Sequence, residues 1–190
     1  MKKVCSNFNL LLRAAQIKRT SIILLIVLLP ASGCSLSQTE HPSDGQMISN
    51  FFTHETEFDT LVKMVSEDQQ VSRIAYDFTW LKDNLSWPRP ESELGFTKER
   101  WDQYRLLFRK LGLAAGILKN SNGSIFFLAS TKGLSISGSM KGYVHSDENL
   151  EPQVSSLDNI SGKIKEREIP ADTPIYRKIK DNWYVYYQGN

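Results

Sequence analysis

The string His54-Glu55-Thr56-Glu57 sets an imidazole beside two carboxylates, the raw material of a metal site or of general acid–base catalysis. Its spacing favours neither. In an HExxH site the two histidines stand one helical turn apart on one face, whereas adjacent helical residues point in different directions. His145 is the other imidazole of the folded region and has no metal-ligand spacing to a partner, so no metal is expected. Glu55 and Asp59 are one turn apart and could act as paired acids on glycan strands, but such pairs are common on solvated helix faces. No GxSxG elbow and no SxxK motif supplies a nucleophile. The glycines near Gly133, Gly138 and Gly142 read as hairpin turns rather than a phosphate cradle. No catalytic residue and no cofactor is therefore assigned. Among the aromatics, Trp80, Trp101 and Trp183 fit core patterning, while Trp87, in a proline-rich loop with Arg89, is the candidate binding contact.

Cysteine is used twice, at Cys5 and Cys34. The second closes the stretch LLPASGC, where an apolar run gives way to small residues and then to polar chain. Residues 22–29 are continuously apolar, too few to cross about 30 Å of hydrocarbon as a helix but suited to the apolar region of a secretory signal. Lys2, Lys3, Arg13, Lys18 and Arg19 precede the run without any acidic residue, as the cationic start of such a signal does. Cys5 would leave with the leader, so Cys34 would have no partner for a disulfide.

The sequence ASGC, in this setting, resembles the lipobox of bacterial lipoproteins. That resemblance implies cleavage between Gly33 and Cys34 and acyl chains on Cys34, with a membrane anchor as the result. The match departs from the usual pattern at Ala31, where leucine is commoner, and at Pro30. Ser35 after the cysteine implies the periplasmic face of the outer membrane if the source is Gram-negative. The competing readings are an ordinary signal peptide with an incidental cysteine, or an uncleaved anchor. The segment order of the remainder, with RWDQYRLLFRKLG, a hairpin and KGYVHS, is similar to small Gram-negative lipoproteins, a resemblance that implies no activity.

Charge is distributed unevenly. The whole chain carries 23 Lys and Arg against 21 Asp and Glu, but the five early cations leave 18 against 21 from Cys34 onward. A nucleic-acid partner, which needs a basic face, is not expected. A hydrophobic share of 41% suits one globular domain.

The boundaries that follow are 1–33 for the signal, 34–43 for the acylated cysteine and a tether in which His41 is solvated, and 44–190 for one domain. Asp44 is expected to cap an amphipathic helix running to about Glu67, with Met47, Ile48, Phe51, Phe52, Phe58, Leu61, Val62 and Val65 on its stripe. VSRIAYDFTWL reads as a strand and KDNLSWPRPESELGF as a loop. Thr97 to Gly112 reads as a second helix with a basic outer face. Asn122-Gly123 marks a hairpin, Lys132-Gly133 and Lys141-Gly142 further turns, and residues 147–159 a loop. The C-terminal segment is expected to turn at Asp181-Asn182, with Trp183, Val185 and Tyr187 on one face and Tyr184 and Tyr186 on the other. The fold class is α+β, two amphipathic helices on an antiparallel sheet built mainly from the C-terminal half. The preferred function is a lipid-anchored, non-enzymatic envelope domain that binds a protein partner or supports the envelope. The alternative is an envelope enzyme or a carrier of a small hydrophobic ligand.

Overall fold

Alternation in the C-terminal segment sets the architecture. Trp183, Val185 and Tyr187 of the last strand join the main core, while Tyr184 and Tyr186 pack in a second cluster on the opposite face. The computed structural model describes residues 40–81, 84–86, 96–133, 138–166 and 170–189. These all fall in one compact unit, Thr39–Asn190.

Among the described residues eight strands form one antiparallel sheet: β1 (Val71–Ile74), β2 (Thr79–Leu81), β3 (Asn84–Ser86), β4 (Ile117–Lys119), β5 (Ile125–Lys132), β6 (Ser139–His145), β7 (Ile175–Lys180) and β8 (Trp183–Gly189). Their spatial order is β3-β2-β1-β4-β5-β6-β8-β7. Four helices accompany them, α1 (Asp44–Thr53), α2 (Glu55–Glu67), α3 (Lys98–Leu111) and α4 (Ile160–Lys165). The class is α+β, with the sheet drawn mostly from the C-terminal half.

The core lies between the helices and one sheet face. Phe51 and Phe58 meet Trp183 with ring centroids 5.1 and 5.4 Å away, and Phe58 meets Phe127 at 5.8 Å. Such tilted and edge-on aromatic pairs contribute beyond their buried area. Helix α3 ends as its sequence requires. Thr97 caps its start by accepting from the Arg100 amide, and Gly112 closes it in the left-handed region at φ 69°.

Several expectations are corrected. The helix expected from Asp44 to Glu67 is two helices, divided at His54 (φ −125°, ψ 26°), whose amide closes α1 and whose carbonyl opens α2. The break leaves Phe52 52% exposed, although its spacing put it on the apolar stripe. The cap of α1 is Ser43, not Asp44. Ser43 and Gln46 form a reciprocal capping box, because Ser43 Oγ accepts from the Gln46 amide and Gln46 Oε1 from the Ser43 amide.

VSRIAYDFTWL is a hairpin of β1 and β2, since Ala75 and Phe78 close a turn between them. Part of the expected loop after it forms β3. Trp80 is not core. It faces away from the helices and is 37% exposed, because Thr79 takes the inward position opposite Ile74.

Lys141-Gly142 is not a turn but the middle of β6. Gly142 is needed there for space. A Cβ would stand 2.1 Å from the Phe127 carbonyl oxygen and 2.9 Å from Tyr186 Cε1. The Asn122-Gly123 and Asp181-Asn182 hairpins form as expected. Residues 147–159 connect to α4, a short helix that carries Ile160 and Ile164 into the core and has no counterpart in the sequence reading.

Candidate functional site

The first residues of the folded unit run across the ends of β5, β6 and β8. Together with residues 157–162 they enclose a cleft of about 540 Å³, lined among others by His41, Lys132, Ser139, Lys141, Asp158 and Tyr187. Beside His41 in sequence, the capping box at Ser43 sets Asp44, 1% exposed, at the start of α1. The carboxylate there also suits the positive end of the helix dipole.

Asp44 is the hub of a buried ionic network. Its Oδ1 lies 2.7 Å from Lys141 Nζ. Its Oδ2 accepts from the Leu157 amide at 2.8 Å and from Arg177 at 2.7 Å. Lys141 reaches Asp158 Oδ1 at 3.1 Å, and that same oxygen accepts from the Asp44 amide at 2.7 Å. Asp44 is 1% exposed and Lys141 2%. Burial works to raise the Asp44 pKa, but hydrogen bonds and charge from Lys141, Leu157 and Arg177 outweigh it and hold the carboxyl below its usual range. The site therefore contains ionised groups whose charges are already matched.

His41 occupies the other wall. Its Nδ1 is 2.9 Å from Ser130 Oγ and its Nε2 2.7 Å from Ser139 Oγ, and the ring stands edge-on to Tyr187 at 5.5 Å. A neutral imidazole donates through one nitrogen and accepts through the other, so it satisfies both serines. Burial first, then the charges of Lys132 and Lys141, depress its pKa to about 4. The ring is neutral at pH 7.

The Ser139–His41 contact has the length of a nucleophile–base pair. Its surroundings are those of a poor one. A catalytic histidine becomes an imidazolium as it takes the serine proton, and an acidic residue behind it stabilises that charge. Here the third group is Ser130, and two lysines oppose the charge. The arrangement is suited to holding hydrogen-bonding groups in place rather than to moving a proton.

The residues singled out in the sequence lie elsewhere. Gly33, Cys34 and Trp87 are outside the described residues. His54 sits between α1 and α2 with Nδ1 3.8 Å from Glu57 Oε2, and Glu57 is in turn paired with Lys110 at 2.5 Å. Glu55 is paired with Lys180 at 2.6 Å, and Asp59 is exposed. His145 packs edge-on against Trp183 at 5.0 Å, and burial lowers its pKa against the opposing charges of Asp147 and Asp59. Among the described residues no group of three His, Cys, Asp or Glu is placed to hold a metal ion.

His41, expected to be solvated in a tether, is instead held by two serines from β5 and β6. Sequence reasoning missed it, and missed Lys141 as well. One local signal was present: Ser43-Asp44-Gly45-Gln46 is a capping-box sequence that places the helix start one residue earlier and turns Asp44 inward. The pairing of β5 with β6 that brings Ser130 and Ser139 together has no such local signal.

Compared with known proteins, the chain matches no family model, no curated protein and no solved structure.

Proposed function

We propose that this chain is a lipid-anchored envelope protein whose domain binds a protein partner through the polar cleft around His41, on the periplasmic side of its membrane. Support for the anchor is the junction LLPASGC after a cationic, apolar leader. Only six residues lie between Cys34 and His41, at most about 25 Å of chain, so an anchored protein would carry this cleft close to the bilayer surface.

The observation that carries the binding reading is the electrostatics of the cleft. Its buried Lys141 is paired with Asp44 and Asp158, its imidazole is neutral and flanked by lysines, and Ser139, Asn159 and Ser161 offer hydrogen bonds at its lining. That favours recognition of polar groups over catalysis, and over carriage of a wholly apolar molecule.

Two measurements test it. The intact mass of the protein recovered from membranes is expected to correspond to a chain beginning at acylated Cys34, and an unmodified chain would overturn the anchor. A photo-crosslinking residue at Ser161 is expected to capture an envelope protein that the same residue at Leu106, on the outer face of α3, does not. Equal capture at both positions would remove the cleft from the proposal. The 2.7 Å Ser139–His41 contact supports an envelope enzyme as the second reading. Covalent labelling of Ser139 by a fluorophosphonate would establish that reading in place of the first.

A further inference from the structure

One side chain fastens the start of the folded unit to the sheet. Among the described residues no backbone hydrogen bond joins residues 40–42 to the rest of the molecule. Pro42 has no N–H to give, and it disfavours helical backbone at His41 before it. The hydrogen bonds of this segment come from the imidazole. His41 Nδ1 meets Ser130 Oγ of β5 at 2.9 Å and Nε2 meets Ser139 Oγ of β6 at 2.7 Å. The ring also stands edge-on to Tyr187 of β8 at 5.5 Å.

The next fixture along the chain differs in kind. Ser43 caps α1, and Asp44 is bound to Lys141, Leu157 and Arg177 in a position 1% exposed. Opening Asp44 would strand buried charges. Opening His41 gives up two neutral hydrogen bonds and a ring contact, and returns an imidazole and two hydroxyls to water. A weak fastening thus stands directly before a strong one, and local opening is expected to stop at Pro42.

The weak fastening is also part of the cleft. Glu40 and His41 line it, as do Ser139 and Tyr187, which His41 touches. Undocking removes that wall and bares the Tyr187 edge, so the cleft is complete only while His41 is docked. A partner that touches the wall binds the docked state better, and linkage requires it to favour docking in return.

We propose that residues 40–42 form a strap, clasped by His41 onto β5 and β6, and that the cleft takes its protein partner only while the strap is docked. This rests on the partner reading of the cleft given above and adds a control to it. The strap is the end of the segment that leads to Cys34, so a pull along that segment acts first on the clasp.

Two readouts on the full chain test it. In a neutral detergent, a glutamyl-specific protease is expected to cut after Glu40 only when the strap is open, because cleavage needs a free, extended segment and then tracks the open population. Ser130→Ala removes one hydrogen bond of the clasp, and Ser130 does not itself line the cleft, so it acts on the cleft only through His41. It is expected to speed cleavage after Glu40 about fivefold, the factor for one hydrogen bond, and to lower the melting temperature by a few degrees at most. His41→Ala is expected to speed cleavage further. In membranes, both variants are expected to lower the yield of the adduct captured from Ser161 by similar factors. Wild-type cleavage as fast as that of His41→Ala would overturn the clasp. Faster cleavage with an undiminished adduct would overturn the coupling and leave the partner reading in place. Absence of a Ser161-specific adduct in the wild type would overturn the partner reading, and the coupling with it, whatever the cleavage rates.

Discussion

Lys141 Nζ lies 2.7 Å from Asp44 Oδ1, and both side chains are almost wholly removed from solvent although 97 positions separate them. The pair joins the first turn of α1 to the middle of β6, and through Arg177 and Asp158 it ties in β7 and the segment before α4. Lys141 also lines the cleft, so the pair is a tertiary bond between the start of the domain and the sheet beneath that cleft.

Removing one member should therefore cost more than removing both. Asp44→Ala leaves Lys141 buried with only the half-exposed Asp158, and is expected to destabilise by about 3 kcal/mol, the lower end for a broken buried pair. Asp44→Ala with Lys141→Met should recover much of that loss, because the charges left without those partners, Arg177 and Asp158, are partly exposed and no fully buried charge remains. Urea unfolding of the two single variants and the double variant measures the coupling, and additive losses would contradict it.

Acid should loosen the cleft at two stages. The folded His41 resists protonation down to about pH 4, while an unfolded histidine takes a proton near 6.5. The unfolded state thus binds more protons across that window, so stability falls as pH drops from 6.5 towards 4. The loss should reach about 2 kcal/mol after allowance for partial exposure. Asp44 acts lower: its pKa is held below 3.8, so its contribution is complete above that value and is lost as pH falls further. His41→Gln should flatten the stability profile between pH 6.5 and 4. His145, also depressed by burial, adds a slope of the same sign, and His145→Gln isolates it.

Gly142 should tolerate no side chain. The Phe127 carbonyl would meet an alanine Cβ at 2.1 Å, so Gly142→Ala must part β5 from β6. A loss of about 3 kcal/mol or more is expected, read as a fall in melting temperature or in folded yield. By contrast Gly45→Ala, with its nearest neighbour at 4.0 Å, should leave the fold intact.

Local pattern carried much of the fold. The i, i+3, i+4 stripe of Trp101, Tyr104, Phe108 and Leu111 placed α3, and Thr97 and Gly112 placed its ends, since caps are satisfied by neighbours in sequence. The Asn122-Gly123 and Asp181-Asn182 turns and the alternation of β8 were equally local. Errors arose where a residue's role depends on what stands opposite it. Trp80 looks like core by composition, but the pairing of Thr79 with Ile74 turns it outward. Lys141-Gly142 looks like a turn, yet the close approach of Phe127 and Tyr186 requires glycine inside a strand.

The chemistry-bearing residues divide in the same way. From the sequence alone came the cationic leader, the apolar run and Cys34 as the expected acyl acceptor, because such signals are read along an extended chain. The α+β class, the helix faces and the strand alternation came from it too, because side-chain direction repeats with backbone period. The meeting of His41 with Ser130 and Ser139, and of Asp44 with Lys141, was decided only by tertiary structure. Those contacts span from 89 to 98 residues and are set by strand register, which no single segment encodes.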